Sequence, residues 1–264
     1  MRLPLLRPDW PVPPGVQAAF TLRGTAPADG ASRGAYRYLN LGDHVGDAPA
    51  AVAQNRSWLQ DALGARPVFL QQVHGRDAAV LRPGTADGVQ ADAAVTSTRQ
   101  LACTILVADC LPVLLAAADG SVVAAAHAGW RGLAAGVLAQ AVAVLRQQLV
   151  TVRPGAADLP IVAWLGPCIG PSAFEVGAEV RQALLAGDPA AGRHFVACGR
   201  GKYLADLPGL ARARLRAAGV GALHGNDGGD AWCTVQRVAD CFSHRRDQRQ
   251  HGATGRMAAC IWRN

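Results

Sequence analysis

Between residues 101 and 133 the chain reads LACTILVADCLPVLLAAADGSVVAAAHAGWRGL, three apolar runs standing close together. The pair Asp119-Gly120 separates two of them and marks a hairpin turn. LACTILV precedes the hairpin and ends at Asp109 and Cys110. HAGWRG follows it as a glycine-punctuated turn into a helix. Asp109, Cys110 and His127 therefore fall at strand ends beside a loop, where a rigid scaffold presents chemistry. VFLQQVHG ends a further strand the same way, with His74 at its tip.

The rest of the pattern predicts strands at Val16–Leu22, Pro67–His74, Ala78–Leu81, Ala91–Thr96, Leu159–Leu165, Val220–His224 and Arg256–Trp262. It predicts helices at Pro49–Leu63, Leu133–Leu149, Val176–Leu185 and Leu207–Ala218. The first of these is opened by Asp47 and closed by Gly64, and the second is apolar all round. Asp87-Gly88, GPCIGP at 166–171 and GNDGGD at 225–230 read as turns, and 154–158 as a loop. Residues 1–15 are proline-rich and are predicted to lie extended on the surface. Residues 23–47 form a long loop dense in Gly, Asp, Asn and Ser. A loop of that length inside a domain is functional or disordered, and Asn40, Asp43 and His44 are residues of the kind that line a site. Strands and helices mix without strict alternation, and there is no repeat or linker. The reading is one domain over 1–264, α/β or α+β, with a mixed-sheet layered core.

Half of the 264 residues are hydrophobic and 5% are aromatic, so the core is expected to be built of Ala, Val and Leu. The net charge of +7 raises nucleic acid, membranes and anionic small molecules as partners. The cations are scattered, Lys202 is the one lysine, and RRDQR at 245–249 is too short for a nucleic-acid tract. An arginine-lined phosphate pocket is the smaller claim. Seven cysteines without a CxxC argue for a reducing compartment. The opening MRLPLLRPDWPVPPG is too rich in proline and charge for a signal peptide, and no run is long enough to span a membrane. A soluble cytoplasmic protein is expected.

His74, Cys110 and His127 are two histidines and a cysteine that would leave one position open, as a catalytic zinc requires. The same residues fit three other readings: a core cysteine with incidental histidines, a blue-copper centre with Met1 or Met257 as axial ligand, or a metal-free Cys–His nucleophile pair. HAGWRG offers a helix N-terminus with Arg131 as an anion site, or a plain strand-to-helix turn. In SHRRDQRQHGATGR, Arg245, Arg246 and Arg256 could meet phosphate with Asp247 orienting one of them. Otherwise the stretch is a solvated charged loop, and His44, His244 and His251 are surface histidines.

Taken together, LNLGDHVGD with VAQNR, QQVHG, ADAAVT, ADCLPVLL, HAGWRGLAAGV, GPCIGPSAFEVG, FSHRRD and TGRMAACIW resemble a known family. Its members were first described as laccase-like polyphenol oxidases and are read as zinc-dependent purine nucleoside phosphorylases with adenosine deaminase activity. The pieces run in the family's order from about Phe20 to Trp262. The resemblance implies an α/β layered domain of cysteine-hydrolase-like architecture and zinc on His74, Cys110 and His127. It implies phosphorolysis of adenosine, inosine, guanosine and methylthioadenosine, and deamination of adenosine. On that basis Cys110, His44 and Asp109 are the expected catalytic residues, with His44 or Asp109 moving protons. Arg23, Asn40, Gln72, Arg131 and Arg246 are the expected substrate or phosphate contacts. Partners are then purine nucleosides and inorganic phosphate, with no nucleic acid or membrane, in a monomer or small homo-oligomer. Two stretches depart from the family's pattern: TLRGTAPADGASRG, which carries Arg23 and Ser32, and the extra residues DQRQHGA before TGRMA. The alternatives are a copper-dependent polyphenol oxidase, a metal-free Cys–His hydrolase and a non-enzymatic nucleoside-binding protein.

Overall fold

A computed structural model describes residues 3–264. In chain order its elements begin with β1 (Leu5–Leu6), β2 (Val16–Thr21), α1 (Pro49–Leu63), β3 (Arg66–Phe69), β4 (Ala78–Val80) and β5 (Ala93–Thr96). The centre holds β6 (Leu101–Val107), β7 (Leu111–Ala117), β8 (Val123–Ala128), α2 (Trp130–Ala135), α3 (Val137–Val152) and β9 (Ile161–Leu165). Then come β10 (Glu175–Gly177), α4 (Ala178–Leu185), β11 (Phe195–Gly199), β12 (Lys202–Ala205), α5 (Leu207–Ala217), β13 (Ala222–Gly225), α6 (His244–His251) and β14 (Met257–Arg263).

The strands form a five-stranded sheet in the order β1-β2-β14-β6-β3 and a six-stranded sheet in the order β13-β9-β7-β8-β5-β4. A small sheet, β10-β12-β11, stands apart from them. The two large sheets pack face to face. Phe20, Cys103, Ile105 and Ile261 from one meet Leu114, Ala116, Val123 and Trp164 from the other. The opposite face of the six-stranded sheet is covered by α3 and α5, through Leu138, Leu145, Leu210 and Leu215. The opposite face of the five-stranded sheet is covered through Leu59 and Leu63 of α1. Both large sheets are therefore buried on both faces, which is why their strands read as continuous apolar runs rather than alternating ones. Parallel and antiparallel pairs occur in both, so the sheets are mixed. The layered α/β reading of the sequence holds.

The hairpin of β7 and β8 around Asp119-Gly120 forms as expected, with Leu111 opposite Ala128. The preceding strand does not join it. β6 belongs to the five-stranded sheet and β7 to the six-stranded one, so the chain passes between the sheets over residues 108–110. No helix among the described residues is long and apolar enough to cross a membrane.

Several expectations are corrected. The described part of 1–15 is not merely laid on the surface: β1 pairs with β2, and Leu3 and Trp10 are buried. The strand from Pro67 ends at Phe69, short of His74. The helix expected from Leu133 is two helices, broken at Gly136, whose φ of +93° ends α2 and begins α3. Asp47 does not cap α1; its carboxylate accepts from Ser32 Oγ at 2.6 Å and Asn40 Nδ2 at 2.9 Å. Residues 244–251 form a helix rather than a loop. Ser243 caps its start by accepting from the Arg246 N–H, and Gly252 at φ +69° ends it. HRRDQRQH has no apolar stripe, so its periodicity was silent.

Leu114 is fully buried between the two sheets. Leu114→Ala is expected to lower unfolding free energy in urea by about 2–5 kcal/mol. Val196→Ala, on an exposed strand, is expected to stay within about 0.5 kcal/mol.

Candidate metal centre

The strand ends of the two large sheets bring three side chains together. Cys110 sits in the crossing between β6 and β7, His127 is in β8, and His74 lies in the loop after β3. Their ligand atoms all lie within 4.8 Å of one another, and Cys110 Sγ is 3.8 Å from His74 Nε2. The His74 and His127 rings meet edge to face at 4.8 Å between centroids. His127 is buried, Cys110 half-buried and His74 exposed, so the group opens to one side.

A residue that the sequence reading quoted but did not nominate builds this arrangement. Asp92, fully buried, meets His127 Nδ1 at 2.8 Å. The same carboxylate accepts from the backbone N–H groups of Val73, His74 and Gly75 at 3.1, 3.0 and 2.7 Å. One side chain therefore orients one histidine and folds the loop that carries the other. His74 itself adopts φ +58°, a conformation the carboxylate holds in place. With Nδ1 committed to Asp92, His127 presents Nε2 to the group, the arrangement that carboxylates impose on metal-binding histidines.

The glycines of HAGWRG are required by packing. A Cβ on Gly129 would stand 2.9 Å from His74 Cδ2 and 3.0 Å from Cys110 Sγ. A Cβ on Gly132 would stand 2.8 Å from the Gly75 carbonyl oxygen. Neither place has room for a side chain, and both lie against the His74 loop.

Charge is finely balanced here. Burial pushes the Cys110 thiol up, but the charge and hydrogen bonding of His127 and then His74 outweigh it and hold it below the ordinary thiol value. Burial disfavours imidazolium at His127, yet Cys110 and Asp92 together raise its pKa. Burial would raise Asp92, but the His127 and backbone hydrogen bonds keep it below the usual carboxylate range. Thiolate and imidazolium thus stabilise one another without a metal, and a cation replacing the imidazolium proton would meet one anionic sulfur and two nitrogens. That borderline donor set suits zinc and copper rather than magnesium or calcium.

The group lies in the wall of a cavity of about 390 Å³, within the range of small-molecule sites. Leu106, Val107, Ile169, Phe174, Leu207 and Trp130 give it apolar wall; His44, Arg131, His244, Arg245 and Arg256 give it cationic and titratable wall. The Arg131 guanidinium lies 4.4 Å from the centroid of the Trp130 ring. Arg245 donates to the carbonyls of Ala173 and Glu175 at 3.4 and 3.1 Å. Arg256 directs one amino group at the carbonyls of Thr254 and Gly255. Burial is the main cause of its lowered pKa. His44 is held below its usual value by burial and then by Arg256.

Three expected site residues do not line the cavity, and a fourth lines it with its amide already paired. Arg246 does not line the cavity: its donors go to the carbonyls of Thr234, Val235 and Cys241 and to Asp247, leaving none for phosphate. Arg23 is also outside, donating to the carbonyls of Arg37 and Val238 and lying over the Phe242 ring. Asn40 is fully buried and clamps the loop, accepting from the N–H groups of Gly42 and Arg256 and donating to Asp47. Gly42 is needed beside it, since a Cβ there would stand 2.7 Å from Arg256 Cγ. Gln72 does reach the wall, but its amide spans both the N–H and the carbonyl of Leu106, at 2.7 and 2.8 Å. The long loop is thus ordered by buried polar contacts. Asn55 of α1 joins it by donating to the Asn40 carbonyl and the Ser32 hydroxyl.

Asp92→Asn replaces an acceptor with a donor facing N–H groups. It is expected to lower the group's affinity for a divalent cation, with zinc as the probe, by about 10–100-fold with His74, Cys110 and His127 intact, read by competition with a chromophoric chelator. Unchanged affinity would remove Asp92 from the centre's construction.

Comparisons with known proteins agree along the whole chain. The family described as multi-copper polyphenol oxidoreductase laccase matches residues 17–264. A Shigella flexneri protein named purine nucleoside phosphorylase YfiH is 45% identical over 262 residues, covering 98% of each chain. A Pseudomonas aeruginosa protein named purine nucleoside phosphorylase PA4543 is 45% identical over 258 residues, covering 97% of each. Among solved structures, Neisseria meningitidis protein NMB0706 aligns with a TM-score of 0.85 at 43% identity, covering 99% of both chains. YlmD from Geobacillus stearothermophilus aligns with a TM-score of 0.86 at 30% identity, covering 100% of this chain and 97% of its own.

Proposed function

The chain belongs to the family described as multi-copper polyphenol oxidoreductase laccases, and from that premise we propose that it is a purine nucleoside phosphorylase holding zinc at His74, Cys110 and His127. The observation that carries this reading is the joining of two features in one cavity wall: a three-donor metal group and a set of arginines. The names of its relatives support it independently. The apolar wall of Leu106, Ile169, Phe174 and Leu207 suits a flat purine, and Arg131, Arg245 and Arg256 suit an anion. The proposed substrates are adenosine, inosine, guanosine and methylthioadenosine with inorganic phosphate, and the same centre is proposed to deaminate adenosine. A copper oxidase is less well supported. A blue-copper site takes a weak axial ligand such as methionine; Met257 is buried in the sheet core and does not line the cavity, and Met1 lies outside the described residues.

Zinc, when bound, supplies a Lewis acid at this wall. The chain's own residues do the rest. In phosphorolysis a phosphate oxygen bonds to C1′ of the ribose, the C1′–N9 bond breaks, and the purine leaves with the electron pair and gains a proton at N7. Arg256 leads in holding the phosphate, because only one of its amino groups is committed to backbone carbonyls. Arg131 and Arg245 add charge from the same wall. His44 is the proposed acid at N7. Burial and then Arg256 lower its pKa in the free protein, with Asp43 opposing them, and a phosphate on Arg256 relieves the second effect, which moves the balance at His44 toward its protonated form. The proton-moving role expected of Asp109 is not kept, since its carboxylate oxygens already accept from Thr234, Ser243 and the Arg245 N–H.

Two substitutions separate this reading from the sequence expectation. Arg256→Ala is expected to raise the phosphate KM by about tenfold or more, the loss of one charged hydrogen bond, and to leave the nucleoside KM near its original value. Arg246→Ala is expected instead to lower thermal stability, because it strips donors from three backbone carbonyls and from the buried Asp247 carboxylate. An unchanged phosphate KM in Arg256→Ala would remove that residue from the phosphate site.

A further inference from the structure

Asp109 directly precedes Cys110 and is nearly buried, yet each of its carboxylate oxygens is engaged by a different part of the chain. Oδ1 accepts from the Thr234 hydroxyl at 2.5 Å. Oδ2 accepts from the Arg245 N–H at 2.6 Å and the Ser243 hydroxyl at 3.1 Å, at the start of α6. Its carbonyl accepts from the Ile169 N–H at 2.9 Å. Its backbone stands at φ +84°, where Asp and Asn are the more tolerated residues after glycine.

We propose that Asp109 is a positioning residue that holds the metal-binding Cys110 and the first turn of α6 in one frame, and so fixes the metal group relative to Arg245. The crossing at 108–110 is the point where the two large sheets exchange the chain. Cys110 stands within it, with no regular strand partner until β7 begins at Leu111. α6 lacks an apolar stripe, and its one buried residue is Asp247, so its placement depends on polar ties more than on packing. Asp109 supplies the tie at its N-terminus, where an anion is favoured by the exposed N–H groups and the helix dipole. The carboxylate also occupies that N-terminus, so the Arg245 N–H in the first turn of α6 is committed to Asp109 rather than free for a ligand. Left-handed backbone on one side and three donors on the other leave Cys110 little freedom to swing from the two histidines.

The metal part of this proposal stands on geometry alone; the phosphate part rests on the nucleoside phosphorylase reading. The test compares Asp109→Ala and Asp109→Asn with the unmodified protein. Zinc affinity is read by chelator competition, and KM for phosphate and for adenosine by steady-state kinetics. Asp109→Ala is expected to lower zinc affinity by about tenfold, as loss of an outer partner does, and to raise the phosphate KM with the adenosine KM unchanged. Asp109→Asn keeps the shape and tolerates the left-handed backbone; with its amide NH2 turned to the Thr234 hydroxyl, which can accept, its oxygen still meets the Arg245 N–H, and it is expected to recover most of the zinc affinity. Should Asp109→Ala fail to fold, Thr234→Val removes a single tie, with the same direction of change in zinc affinity. Unmodified zinc affinity in the folded Ala or Val variant overturns the frame, as does an equal change in both KM values. Zinc loss as expected, with no phosphorolysis by the unmodified protein, overturns the functional reading and leaves Asp109's hold on Cys110 standing.

Discussion

The buried carboxylate of Asp92 is the contact on which the centre depends. It is placed just before β5, where the six-stranded sheet fixes it, and it reaches both the end of β8 and the loop after β3. An ionised carboxylate buried without partners is costly. Here it meets three backbone N–H groups and an imidazole, and these partners hold its pKa down despite burial. Its own stability and the shape of the His2Cys group are therefore one problem with one solution. Remove the charge, and the three N–H groups, the left-handed His74 backbone and the orientation of His127 lose their common anchor.

The sheets explain why the group forms where it does. Two sheets buried on both faces have no room for chemistry inside them, so polar residues collect where strands end. β6 hands the chain to β7 across three residues, and β8 returns antiparallel beside β7, so Cys110 and His127 arrive at the same end. α6 and the Asn40 loop then close the other side of the cavity with His44, His244, Arg245 and Arg256. Asn40 and Gly42 join that loop to Arg256, and Asp109 joins α6 to the metal side.

Much of this was legible in the sequence because burial on both faces writes itself as uninterrupted apolar runs. β6, β7 and β8 were plain for that reason, and α1 was marked at its end by Gly64, although Asp47, credited with opening it, does not cap it. The candidate metal group was legible as residue types, with Cys110 and His127 beside strand ends and His74 in the loop beyond β3. Its builder was not: Asp92 reads as one more position at the start of the strand predicted over Ala91–Thr96, and its partners lie in other segments of the chain. Arg246 looked as available as Arg245 and Arg256, because a guanidinium's carbonyl partners are set by loop folding that carries no local pattern. The small sheet of β10, β11 and β12 was missed as short and largely exposed, and α6 because it is polar on every face. The break at Gly136 was hidden by apolar residues continuing on either side of it.

The most direct measurement is chromatography of adenosine incubated with the zinc-loaded protein, with and without inorganic phosphate. Adenine and a phosphorylated ribose formed only when phosphate is present are what the account predicts. Adenine formed equally without phosphate, or adenosine left intact by protein with its metal site filled, would contradict it.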